Sequence, residues 1–304
     1  MTCMGERRHL RLGNCFLGLW LMLGCAPVSA AFVGSFATAQ SHFASFGTNR
    51  VHYLTVGKGR HTVVFVHCWA GRAEFWREQV PALADKARLI LIDLPGHGQS
   101  DKPHADYTMD FLARGVLAVL RDAKVKQATL IGHSMGVPVI CWVYRDAPEK
   151  VAALVAVDGL LRRPPREPEQ SEQFIGQLRA PDYRQRTTQF IRSMFPVAGT
   201  DALRERILAG LLETPQYVML SAMEGMFGAN QPAWDLQFVR VPVLVLNAKN
   251  PRWTPEYESY VRSLSEQVDY RTLDGVGHWL MLEQPDAFNA ALVEMLQEYQ
   301  LVGK

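Results

Sequence analysis

Short apolar runs recur along the first half of the chain, at Thr62–Val66, Arg88–Asp93, Ala128–Gly132 and Val151–Asp158. Each is near-continuous in valine, isoleucine and leucine rather than alternating, which is the pattern of a strand covered on both faces. Stretches of helical period separate them. Phe111 to Lys124 puts Leu112, Val116, Val119 and Leu120 on one side, and further helices are predicted over Ala73 to Lys86 and Met135 to Arg145. Upstream, Phe43–Phe46 and Arg50–Val56 flank Gly47-Thr48-Asn49 and read as an antiparallel hairpin. Strands alternating with helices predict an α/β fold with a mostly parallel central sheet and helices on both faces.

The alternation stops after Asp158. Arg162-Arg163-Pro164-Pro165-Arg166-Glu167-Pro168 cannot continue a strand, and the following residues show three or four helical segments, around Gln185–Phe195, Ala202–Leu212 and Gln216–Phe227. The parallel pattern then resumes with a strand at Val243–Asn247, a helix over Glu256–Leu264, a strand at Val268–Leu273 and a last helix over Asp286–Tyr299. The expected organisation is a core of residues 31–158 and 239–304, with a helical cap, 159–238, inserted before the last two strands.

Composition adds three constraints. In 304 residues, 48% are hydrophobic and 20% charged, which supports a packed core and excludes a disordered chain. The net charge of +2 is accounted for by Arg7, Arg8 and Arg11 against Glu6, so the remainder is balanced and carries no nucleic-acid signature. Those arginines precede an apolar run from Cys15 to Leu23 and the small-residue site Val28-Ser29-Ala30, so residues 1–30 read as an export signal. The run falls short of the ~18 residues that a membrane-spanning helix needs. The expected destination is the periplasm or the exterior. Leu21-Met22-Leu23-Gly24-Cys25 also resembles a degenerate lipoprotein box, in which Cys25 would carry a lipid anchor. Removal of the leader leaves two cysteines, Cys68 and Cys141, expected to be free and buried.

Gly132-His133-Ser134-Met135-Gly136 matches G-x-S-x-G at the one place where the motif has mechanical meaning, between a strand and a helix. Glycines there let the backbone turn tightly enough to expose a strained serine hydroxyl above the sheet. Three further stretches accompany it: His67-Cys68-Trp69, Asp93-Leu94-Pro95-Gly96-His97-Gly98-Gln99-Ser100 and Gly275-Val276-Gly277-His278-Trp279. With these, the chain from about Phe43 onward resembles the α/β-hydrolase superfamily, in its serine esterase and lipase branch. The superfamily hosts many chemistries, so the resemblance implies a fold and a triad before a substrate.

A serine hydroxyl needs a base to take its proton, and the family's order of serine, acid, histidine places that base downstream. His278 is the only histidine after Ser134. In most members the acid follows the strand after the insert, which here falls at Asn250, and an amide cannot carry the charge that stabilises an imidazolium. Asp158, ending the strand before the insert, is the better candidate, as in branches that include one group of haloalkane dehalogenases. By resemblance the oxyanion donors are the backbone N–H groups of Trp69 and Met135, with Cys68 standing where the family usually has glycine. His67, His97 and His133 lie in the same loops without carboxylates or thiolates at ligand spacing, so no metal is expected, and no cofactor. Met194, Phe195, Met219, Met223, Met226, Phe227 and Trp234 could line an acyl pocket or simply form the core of the cap.

The function so predicted is hydrolysis of a small-molecule carboxylic ester through an acyl-enzyme on Ser134. Thioesterase, lactonase, C–C bond hydrolase and acyltransferase use the same triad. Epoxide hydrolases and dehalogenases place an aspartate where this chain has Ser134. A non-catalytic ligand-binding member of the fold is the alternative from another class, and Asn250 is the feature that favours it.

Overall fold

The computed structural model describes residues 38–164, 168–196 and 199–303. The export signal read in residues 1–30, with Cys25, lies outside them. Among the described residues no helix is long and apolar enough to cross a membrane.

An eight-stranded sheet forms the centre, built from β1 (Gln40–Phe46), β2 (Asn49–Val56), β3 (Thr62–Val66), β4 (Arg88–Ile92), β5 (Ala128–His133), β6 (Val151–Val157), β7 (Val243–Ala248) and β8 (Val268–Leu273) in the order β1-β2-β4-β3-β5-β6-β7-β8. β2 pairs antiparallel with β1 and with β4, and every other pairing is parallel. The apolar runs sit where their composition puts them. Val63 to Val66, Leu89 to Ile92 and Ala153 to Val157 are fully buried, sandwiched by helices. At the two edges the burial is partial or alternating.

β3 has β4 on one side and β5 on the other, so the chain leaves it in one direction and returns in the opposite one. Loops that diverge at such a reversal open a crevice at the carboxyl ends of the strands. The segments after β3 and β5, which carry Trp69 and Ser134, border that crevice.

The helices are α1 (Val80–Leu83), α2 (Met109–Asp122), α3 (Gly136–Asp146), α4 (Pro168–Arg179), α5 (Tyr183–Arg192), α6 (Asp201–Leu211), α7 (Gln216–Phe227), α8 (Pro255–Arg262), α9 (Leu280–Glu283) and α10 (Pro285–Glu298). The single helix expected over Ala73 to Lys86 is instead a 3₁₀ segment, Ala73–Gln79, followed by the one turn of α1. Pro81 is the cause, since it has no N–H to give to the carbonyl of Arg77. Among the described residues four helices, α4 to α7, stand between β6 and β7, within the three or four expected and one more than the three located. The additional one, α4, is mostly polar and interrupted by Gly176, so its apolar stripe is short: among its described residues Ile175 and Leu178 are the buried apolar side chains. Past α7 the chain returns without helix, pinned by buried Trp234, whose indole N–H donates to Leu160 O at 2.9 Å.

Candidate active site

Ser134 follows β5 with φ +53°, a left-handed conformation that costs a non-glycine residue about 1–2 kcal/mol. Neighbouring bonds hold it there. Ser134 N–H donates to Val157 O at 3.0 Å, and Val137 N–H to Ser134 O at 3.0 Å. The flanking glycines are required by space. A Cβ on Gly132 would stand 2.4 Å from Gly136 O, and one on Gly136 would stand 2.4 Å from Val66 O. The elbow is therefore wedged between its own helix and β3, and Ser134 sits beside the amino end of α3, where the helix dipole favours negative charge.

Asp158, immediately after β6, also has a left-handed φ, +41°. Its backbone N–H donates to Leu246 O at 3.2 Å, and its buried carboxylate accepts from three groups. His278 Nδ1 lies 2.6 Å from Oδ2, Arg252 Nη2 lies 2.7 Å from the same oxygen, and Ala248 N–H donates to Oδ1 at 3.0 Å. Burial pushes this carboxyl up, but the bond and charge of His278, the Arg252 charge and the Ala248 amide outweigh it and hold it below the ordinary carboxylate value. A carboxyl so depressed stabilises the fold above its ordinary value, and that contribution is lost as the pH falls through the depressed one. Asn250 turns elsewhere. Its Nδ2 donates to Ala248 O and its Oδ1 accepts from Arg252 N–H, both at 3.0 Å, which makes it the head of a local turn.

The loop that carries His278 is held at successive backbone groups. Glu283 accepts from Gly277 N–H at 2.8 Å and from Trp279 N–H at 3.1 Å, while His278 N–H donates to Met194 O at 3.2 Å. On the other side His133 Nε2 donates to His278 O at 2.8 Å. A Cβ on Gly277 would fall 2.5 Å from Met194 O, so only glycine lets the cap approach this closely. Burial raises the Glu283 carboxyl above its ordinary value, with the two amides and His278 pulling the other way. Sequence reading missed Glu283 and Arg252, named Met194 only as a pocket or core side chain, and considered His133 only as a metal ligand. Glu283→Gln turns one acceptor into a donor facing an N–H. A misplaced base costs rate rather than affinity, so kcat for an activated ester is expected to fall about ten- to hundredfold with little change in KM. Steady-state kinetics alongside a melting curve checks this, and an unchanged kcat in a folded variant would rule it out.

No protein acceptor among the described residues takes the backbone N–H of Trp69 or of Met135, so both donors remain available beside Ser134. Cys68 is buried and free, as is Cys141, and burial pushes the Cys68 thiol up to about 12, far from a reactive thiolate. His67 bridges Cys68 O and Leu94 N–H, and His97 Nδ1 meets Pro95 O at 2.9 Å. Burial lowers both rings, to about 4 and about 3, so they stand neutral as struts of the loops.

Ser134, Asp158 and His278 open into one cavity of about 220 Å³ between sheet and cap. Met194, Met223, Met226, Phe227 and Trp234 line it, as do Phe174, Phe190, Trp253 and Trp279. Phe195 and Met219 do not. Phe195 stacks flat on Trp279 at 4.9 Å, and Met219 is fully buried, its carbonyl accepting from Trp69 Nε1 at 2.8 Å.

Residues 61–285 match the family model for the alpha/beta hydrolase fold, and the chain belongs to that family. It is a hydrolase of this class. Among curated relatives, it is 27% identical over 272 residues to a dihydrolipoyllysine-residue acetyltransferase component of an acetoin cleaving system from Cupriavidus necator, an alignment covering 86% of this chain and 70% of the relative. It is 26% identical over 269 residues to 3-oxoadipate enol-lactonase 2 of Acinetobacter baylyi, covering 82% and 94%. Among solved structures, a thermophilic esterase from Thermogutta terrifontis superposes with a TM-score of 0.74 at 23% identity, covering 86% of this chain and 99% of that one.

Proposed function

We propose that the protein is a serine hydrolase of small carboxylic esters, open-chain or cyclic. The observation that carries this reading is the 2.6 Å contact between Asp158 Oδ2 and His278 Nδ1 in a cavity that also holds the strained Ser134. In the reaction Ser134 Oγ attacks the ester carbonyl and its proton passes to the free ring nitrogen of His278. Asp158 stabilises the imidazolium, and the N–H groups of Trp69 and Met135 receive the charge that develops on the carbonyl oxygen. His278 returns the proton to the departing alcohol, and a water activated by the same ring releases the acid from Ser134.

Asn250 carries no weight for a non-catalytic reading once a carboxylate from another strand end meets the imidazole. The cavity is smaller than the ~300–1,000 Å³ of sites for drug-sized ligands, which supports a short acyl group over a long fatty chain. A fluorophosphonate should label Ser134, and a series of p-nitrophenyl esters should show kcat/KM highest for short acyl groups. A folded protein that neither takes the label nor turns over any ester would defeat the reading.

A further inference from the structure

We propose that Arg252 seats an anionic group of the substrate, so that the site prefers esters bearing a carboxylate over their neutral counterparts. This rests on the serine hydrolase reading and names the substrate class within it. Among the residues lining the cavity, Arg252 is the one permanent cation, set in a wall of methionine and aromatic side chains. A guanidinium has five donors, and the contact with Asp158 uses Nη2 alone. No acceptor among the described residues takes a hydrogen bond from its Nε or Nη1. The edge turned from Asp158, formed by the second N–H of Nη2 and an unused neighbouring N–H, presents two parallel donors with the spacing of a carboxylate's two oxygens.

The side chain is also fixed in advance. Its backbone N–H is held by Asn250 Oδ1 at 3.0 Å, its guanidinium lies 4.5 Å over the Trp253 ring, and Asp158 holds one end at 2.7 Å. An arginine loses much rotamer freedom on binding a partner, and here most of that loss precedes the substrate. With 48% of the side chain exposed, the free edge is open to an incoming ligand. A substrate carboxylate in contact with that edge lies nearer to the guanidinium than to the Asp158 carboxylate on its other side, so attraction exceeds repulsion. The methionine and aromatic side chains beside it keep part of the solvent from the pair and so strengthen it.

The test compares two esters of one shape and different charge, mono-4-nitrophenyl adipate and its neutral methyl ester. The wild-type protein is expected to show kcat/KM about tenfold higher for the anionic ester, the size of one charge-assisted contact. Added salt should narrow that preference. Arg252→Gln lowers both rates, because Asp158 loses a partner, and the ratio between the esters should fall to about one. Arg252→Lys, which keeps the charge without the fork, should fall between. Equal or reversed preference in the wild-type protein overturns the proposal whether or not the variants fold, and so does a preference that survives in Arg252→Gln. If the neutral ester is turned over and fluorophosphonate labels Ser134 without any charge preference, only the Arg252 assignment fails. If neither ester is turned over and no label is taken, the serine hydrolase reading fails and this one with it.

Discussion

Ser134→Ala is expected to lower kcat for an activated neutral ester by about six orders of magnitude, and His278→Ala by nearly as much. The reason is mechanical interdependence. Without the hydroxyl there is no acyl-enzyme to form, and without the imidazole the hydroxyl stays protonated above the helix end. Removing both should therefore cost little more than removing either. The residual rate over water is expected to come from the Trp69 and Met135 amides and the cavity, which the substitutions leave in place. Active-site titration of the three variants checks this, since the burst of first-turnover product should vanish in each. A Ser134→Ala protein with wild-type turnover would remove Ser134 from the chemistry, and fully additive losses would argue against a joint action of the pair.

Asp158→Asn is expected to lower kcat by about 10⁴ with KM for a neutral ester little changed. The amide is nearly the same size, so Ala248 and Arg252 keep a nearby polar group, and the half-exposed Arg252 can turn to water. What disappears is the negative charge facing Nδ1 of His278, and its value rises when the ring becomes charged in the transition state. The amide can also present its NH₂ to the ring and impose the wrong tautomer. Asn250→Ala tests the neighbouring strand end. It removes the turn that holds Arg252 N–H, worth about 1 kcal/mol of stability, and should cost much less rate. A folded Asp158→Asn protein that keeps most of its kcat, or an Asn250→Ala protein with the larger loss, would reverse the assignment.

Much of the fold is written in local pattern, because burial has a period. Strands covered on both faces must be apolar without interruption, so β3 to β7 are visible as runs of valine, leucine and isoleucine. The edge strands and the cap, half-wet and mixed in character, are less so. α4 is the example: its polar run hides a stripe in which Ile175 and Leu178 are the buried apolar side chains. The break at Pro81 was equally present in the chain, as a missing donor in the middle of a helical period.

The site divides in the same way. Gly132-His133-Ser134-Met135-Gly136 is legible because the turn and the steric limit on its glycines are local, and His278 because no other histidine follows Ser134. The meeting of the groups is not local. His278 and Asp158 are 120 residues apart, Arg252 and Asp158 94, and His133 and His278 145. Sequence could rank Asp158 against Asn250, which end adjacent strands, but not decide which one the imidazole contacts. That depended on the left-handed backbone after β6, on Asn250 spending its amide within its own loop, and on the amides that Glu283 and Met194 fix around His278. Periodicity of burial along the chain therefore determined the layers, and the local glycine motif determined the serine elbow. Strand order and the directions of individual hydrogen bonds, which no neighbouring residues encode, decided how the carboxylate, the imidazole and the guanidinium come together.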